Sequence, residues 1–229
     1  MEEHAAMPPL VFVDTNILKL AATELQRYVP RRESLQWGPM TIDAVVHDAV
    51  VVNPNDNISN PKLKAEADLL PEVANYGRQG AIEFTQTAEA RYEEWGLPNM
   101  DSQTGRFYGA AVRLVEAPFK YARVMGGSGI DGGAEQYRFL ASIGGTRFLT
   151  IQRATGAYQG AQPPNRNQLI DAFHIWCAES AACTYFLTLD FKLIRTIARS
   201  KLCSSVAVVL PSELIASINQ GEKARDSEL

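Results

Sequence analysis

The residues best able to do chemistry together are carboxylates far apart in the chain. Asp14 follows the apolar run LVFV (10–13), Asp190 follows YFLTL (185–189), and Asp171 falls early in the helical pattern NQLIDAFHIWCAESAA. In open parallel sheets, ligands bind at the carboxyl ends of the strands, where Asp14 and Asp190 are expected. Like charges brought close raise one another's pKa or push the structure apart. A hard divalent cation such as Mg2+ or Mn2+ removes that cost, because it takes oxygen ligands and retains water. Water held this way is acidified and can attack a phosphodiester, so the hydrolysis needs no protein nucleophile. Taken singly, each acid has a plainer role: Asp14 and Asp190 as helix caps, Asp171 as a charge favoured by the helix dipole.

The elements that must position these acids can be read in outline. LVFV and YFLTL have the continuous apolar character of strands buried on both faces. A helix is expected from Thr15 or Asn16, carried by Ile17, Leu18, Leu20, Ala21 and Leu25 and ended by Pro30. TIDAVVHDAVVV (41–52) fits a strand, a hairpin or a helix, and Asn60-Pro61 reads as the cap and first position of another helix that Pro71 kinks or ends. AIEFT (81–85) alternates like a strand, and QTAEARYEEW follows as a helix. Residues 106–125 read as a helix, GGSGIDGG as a flexible loop, EQYRFLASI as a helix and TRFLTIQ as a strand. FKLIRTIARSK then reads as a helix, VAVVL as a strand and PSELIASI as a closing helix. Strands alternating with helices imply a parallel sheet covered on both faces. The expected fold is thus α/β, a three-layer α/β/α sandwich around a mostly parallel sheet. It forms a single domain over 1–229, with 97–165 as an inserted, mainly helical segment, an insertion or a flap within it.

Composition narrows the class. Cys177, Cys183 and Cys203 lie in apolar runs without CxxC spacing, and His4, His47 and His174 are scattered, so neither a disulfide framework nor structural zinc is expected. No apolar run is long enough to span a bilayer, and MEEHAAMPPL lacks the basic-then-apolar order of a secretion signal, so a cytoplasmic location is expected. Residues 97–166 carry eight Arg/Lys and four acids, +4 in a chain of net charge −4. An acidic body with a basic segment suits a metal site beside a phosphate-contacting surface, although a solvated helical face explains it equally well. GGSGIDGG lacks the preceding strand and the Lys-Ser/Thr of a phosphate loop, and Asn16 stands where an aspartyl-nucleophile phosphatase needs a second Asp.

VFVDTNIL (11–18) resembles the opening of PIN domains, a hydrophobic strand running into Asp-Thr/Ser-Asn. IDAFHIWCAESAACTYFLTLDFKLI (170–194) is similar to their second half, and VAVVLPSELI (206–215) to their closing strand-Pro-helix. The resemblance implies a Mg2+- or Mn2+-dependent nuclease, commonly one that cleaves RNA, on an α/β sandwich. By position it makes Asp14, Asp171 and Asp190 metal-site residues and Asn16 and Thr188 the polar groups that orient them. Glu89 would be the fourth acid, with Glu93 one turn on as the alternative, and His174 a structural or hydrogen-bonding neighbour. It also leaves open an antitoxin-like or other protein partner, a homodimer, and a catalytically inactive scaffold that binds RNA or protein. The chain is considerably longer than compact PIN toxins; the excess falls before Glu89 and between Glu89 and Asp171.

Overall fold

Leu10–Val13 (β1) is the centre of a sheet, because alternate side chains are buried on opposite faces: Val11 and Val13 in one core, Phe12 in the other. A computed structural model describes residues 7–21, 25–52, 54–94, 106–122, 131–160, 162–200 and 204–226. β1 pairs in parallel with Glu83–Gln86 (β4) on one side and Tyr185–Leu187 (β6) on the other. Val112–Leu114 (β5) and Ala207–Val209 (β7) close the edges, also in parallel, to give the order β5-β4-β1-β6-β7. Parallel neighbours need crossover connections, and helices supply most of them.

Those helices form the two outer layers. Thr15–Ala21 (α1), Pro61–Ala67 (α2), Leu70–Arg78 (α3) and Pro211–Asp226 (α9) cover the face that buries Val11, Val13, Phe84 and Leu187. Gly132–Ser142 (α5), Thr146–Thr155 (α6), Arg166–Ser180 (α7) and Phe191–Ser200 (α8) cover the face of Phe12 and Phe186, whose rings stack at 5.3 Å. The short helix Ala88–Glu94 (α4) follows β4. The architecture is therefore the expected α/β arrangement of a parallel sheet between helical layers. Among the described residues no helix is long and apolar enough to cross a membrane. Cys177 and Cys183 are buried and unbridged, while Cys203 lies outside the described residues.

Local signals explain several boundaries. Asn60 caps α2 through its side-chain oxygen, which accepts from the Lys62 and Leu63 amides at 3.0 and 3.4 Å, with Pro61 next in line. Pro71 opens α3 instead of kinking one long helix. Gly77 in α3 is required by contact: a Cβ there would stand 2.2 Å from the Phe84 ring of β4.

Four expectations are corrected. The helix after Asp14 stops at Ala21, and the chain next forms a long antiparallel ribbon, Leu25–Trp37 (β2) with Met40–Val52 (β3). Pro30 is thus a residue of an open-edged strand, where a missing N–H is tolerated, and not a helix terminator. Residues 106–122, the described part of the expected helix 106–125, are not α-helical: a short 3-10 turn at Arg106–Gly109 leads into β5, because the apolar Val112 and Leu114 complete the sheet edge. TRFLTIQ is helix α6, with Phe148, Ile151 and Ala154 buried at three-residue steps. The described part of 97–165 supplies a strand to the main sheet and two helices to one layer. GGSGIDGG (126–133) lies mostly outside the described residues.

The ribbon is the element that leaves the sandwich. Its thirteen paired rungs run from Leu25↔Val52 to Trp37↔Met40, and Gly38, at φ 60°, makes the two-residue turn possible. Each strand packs chiefly against the other, and Tyr28, Trp37, Met40 and Val45 are all more than half exposed.

Candidate acidic active site

Asp14 occupies the first position past β1, where its backbone N–H donates to the Leu187 carbonyl at 3.0 Å and so stays in register with β6. Its Oδ2 accepts from Asn16 Nδ2 and Thr188 Oγ1, both at 2.7 Å. Asn16 also donates to Thr188 Oγ1 at 3.0 Å and accepts the Leu189 amide at 3.1 Å, which ties the ends of β1 and β6 together. The Asp-Thr-Asn that ends one strand and the Thr that ends the other thus form one polar clamp. Burial raises the Asp14 pKa; the Thr188 hydrogen bond and nearby His174 work against that rise, and Glu93 adds to it.

Asp190 lies beyond β6 and caps α8, its Oδ1 accepting from the Lys192 and Leu193 amides at 2.7 and 2.9 Å. Asp171 is in the second turn of α7, a helix that Asn165 caps through the Asn167 and Gln168 amides. Burial, followed by the charges of Asp14, Asp190 and Glu93, pushes the Asp171 pKa up to about 8; Lys192 opposes the shift. Three aspartates from distant parts of the chain, and one glutamate, thus act on one another across the carboxyl edge of the sheet.

Of the two glutamates the sequence offered, Glu93 is the one whose charge acts on Asp14 and Asp171. Its Oε2 accepts from Thr15 Oγ1 at 3.1 Å, and its pKa rises to about 7, chiefly from burial. Glu89, one turn earlier on α4, is fully buried and accepts from Tyr121 Oη at 3.1 Å and Gln136 Nε2 at 3.4 Å. Gln136 also donates to Glu93 Oε1 at 3.3 Å and accepts from Arg166 at 3.2 Å. One buried amide therefore spaces the two glutamates and links them to a guanidinium.

His174, one turn along α7 from Asp171, is fully buried, with its ring 5.7 Å from that of Phe12. Burial lowers its pKa, so the ring is neutral near pH 7 although Asp14 and Glu89 pull the other way. Its Nε2 lies 3.5 Å from Glu93 Oε1, yet it makes no hydrogen bond among the described residues, so the contact is not an ion pair.

Thr15, Tyr121, Gln136 and Arg166 went unassigned in the sequence. Thr15 had a usable signal, as the middle residue of Asp-Thr-Asn; Gln136 had none, being a neutral residue inside an ordinary helix.

The donors are carboxylate oxygens, as a hard cation prefers, and their crowding is the electrostatic condition such an ion relieves. The set fits Mg2+ or Mn2+ in chemistry. Its side chains are not closed on one point: among the described residues, no three His, Cys, Asp or Glu stand ready to hold a single ion. Fold and site together define a parallel α/β sandwich with buried Asp14 and half-buried Glu93, Asp171 and Asp190 at the carboxyl edge of its strands. Comparison with protein families, with curated proteins and with solved structures finds no match.

Proposed function

We propose that the chain is a PIN-type nuclease that hydrolyses phosphodiester bonds of single-stranded RNA with the help of Mg2+ or Mn2+. The observation that carries this reading is the placement of Asp14, Asp171, Asp190 and Glu93 at one edge of the sheet, where burial and the charges of the other three push the Asp171 pKa up to about 8. Apposed acids held at such cost point to a use for a cation.

Asp14, Asp171, Asp190 and Glu93 would hold the ion, and Glu89 stands behind Glu93 as a positioning residue. When bound, the ion supplies Lewis acidity that eases deprotonation of water and offsets charge on the departing oxygen. The protein's part is orientation. Asn16 and Thr188 fix one oxygen of Asp14, the start of α8 fixes one oxygen of Asp190, and Thr15 fixes one of Glu93. Neutral His174 packs behind them and keeps bulk water from their buried side. The basic excess of residues 97–166 would meet the substrate's phosphates.

Purified protein should cleave single-stranded RNA with Mg2+ or Mn2+ and lose that activity in chelator. Asp14→Asn and Asp171→Asn should each reduce the rate by at least about a hundredfold, the loss expected when charge stabilisation of a transition state is removed. Glu93→Gln should cost more than Glu89→Gln. Cleavage that survives chelator or Asp14→Asn would sink the mechanism. One observation favours a second reading, a non-catalytic scaffold that binds RNA or a protein partner: the acids do not converge on a single point. RNA binding without cleavage at any divalent ion would select it.

A further inference from the structure

We infer that the cavity beside the acidic site is a seat for one unstacked nucleobase of the bound strand, an inference that rests on the nuclease reading above. The cavity holds about 620 Å³ at the carboxyl ends of β4 and β5, the same sheet edge that presents Asp14 and Asp190. Its lining includes Thr87, Glu89, Leu114, Ala117, Phe119 and Tyr121.

Its position ties it to the site. Glu89 forms part of the wall, and its carboxylate is joined through Gln136 to Glu93. A strand with one phosphate against the acids therefore has a neighbouring base beside this opening.

Its chemistry selects the base over the phosphate. The wall is mostly apolar, and the Phe119 ring is held by tilted contacts with Tyr121 at 5.5 Å and Trp176 at 5.7 Å, so an aromatic surface is in place before anything binds. Bases stack on such faces whatever their sequence. Exposed Glu116 on the wall repels an anion and can accept from exocyclic amino groups, while exposed Lys120 falls between the two aromatic residues in sequence, where it can meet a flanking phosphate. A base stacked on Phe119 has left its own helical stack, so the strand must be unpaired at that nucleotide.

The test uses the full chain carrying Asp171→Asn, so that RNA is bound and not cut, with Ca2+ present. Fluorescence anisotropy is read with a short mixed-sequence single-stranded RNA, with the same RNA carrying one abasic nucleotide at each position in turn, and with its duplex. Phe119→Ala should weaken single-strand binding roughly tenfold, the equivalent of one lost stacking contact. Phe119→Leu, which keeps the apolar bulk, should behave alike. One abasic position should weaken binding to the unaltered Phe119 protein by a similar factor and add nothing in Phe119→Ala, and the duplex should bind less tightly than the single strand. If both Phe119 variants match their parent, or no abasic position matters, the cavity is not a base site, and the nuclease reading stands on its cleavage data. If the parent binds no RNA and the wild-type chain cleaves none, both ideas fall. Thermal melts of the variants check folding, and the abasic series needs no Phe119 variant at all.

Discussion

Asp171 makes the electrostatic logic of the site measurable. A carboxyl that titrates at 3.8 in a free chain and at about 8 in the fold keeps its proton in the folded state over that interval, after the unfolded chain has released it. The unfolded state then binds fewer protons, so unfolding free energy falls as pH rises from the lower value to the upper one, the reverse of a salt-bridged aspartate. Glu93, at about 7, contributes in the same direction, while the lowered pKa of buried His174 costs stability on the acid side of 6.5. The test is therefore a difference: in chelator, the melting temperature of wild type should drop between about pH 5 and pH 8 more than that of Asp171→Asn. Added Mg2+ should recover several degrees for wild type at the upper pH and little for the variant. Equal pH slopes for the two proteins would remove the repulsion argument. The places of Asp14 and Asp190 just past β1 and β6, and of Asp171 in the second turn of α7, were legible in the sequence because those elements have strong hydrophobic patterns. Glu89 and Glu93 are one helical turn apart, so the sequence alone could not say which of them turns toward α1, as Glu93 does through Thr15.

At the scale of elements, patterns that complete themselves locally were the readable ones. β1, β4, α7, β6, α8 and α9 carry their own apolar period and their own caps or prolines. The elements misread were decided by distant partners. Val112 and Leu114 are helix-compatible in isolation and become an edge strand because β4 offers them a free side. Phe148 and Ile151 favour a strand by type, yet their spacing puts both on the face that α6 turns to α7. Leu25 continued the helical spacing of α1, but it begins β2. Gly77 illustrates the same dependence from the packing side. Alanine is the better helix former by about 0.8–1 kcal/mol, but its methyl would strike the Phe84 ring, itself edge-on to Phe107 at 4.6 Å. Gly77→Ala should therefore destabilise by roughly 1–3 kcal/mol, the usual cost of overpacking. That would lower the melting temperature by several degrees. An unchanged or higher melting temperature would show that α3 can shift away from the sheet.

The whole molecule has two parts of unequal cohesion. The sandwich buries two apolar cores on either side of its sheet, whereas the ribbon β2–β3 has one partner per strand and largely exposed side chains. A two-stranded hairpin without a third strand or a covering helix is marginal in water. Hydrogen exchange of the described ribbon amides should thus be faster, by orders of magnitude, than exchange of β1 and β6, and should not slow when Mg2+ is added. Exchange in the ribbon as slow as in β1 would mean that it is held by something beyond its own ladder. The sequence showed the ribbon's turn residues and its β-branched run, but not its independence, because isolation is a property of what fails to pack.

The ribbon's two roots share a rung, Leu25 opposite Val52, so the chain departs from the body and returns to it through one narrow gap. Everything between those roots is a detour in the path from α1 to α2 that no strand of the main sheet depends on. The arm is in that sense a cassette: a short linker spliced across its base would shorten the chain without reordering the sheet or parting Asp14 from Asp190.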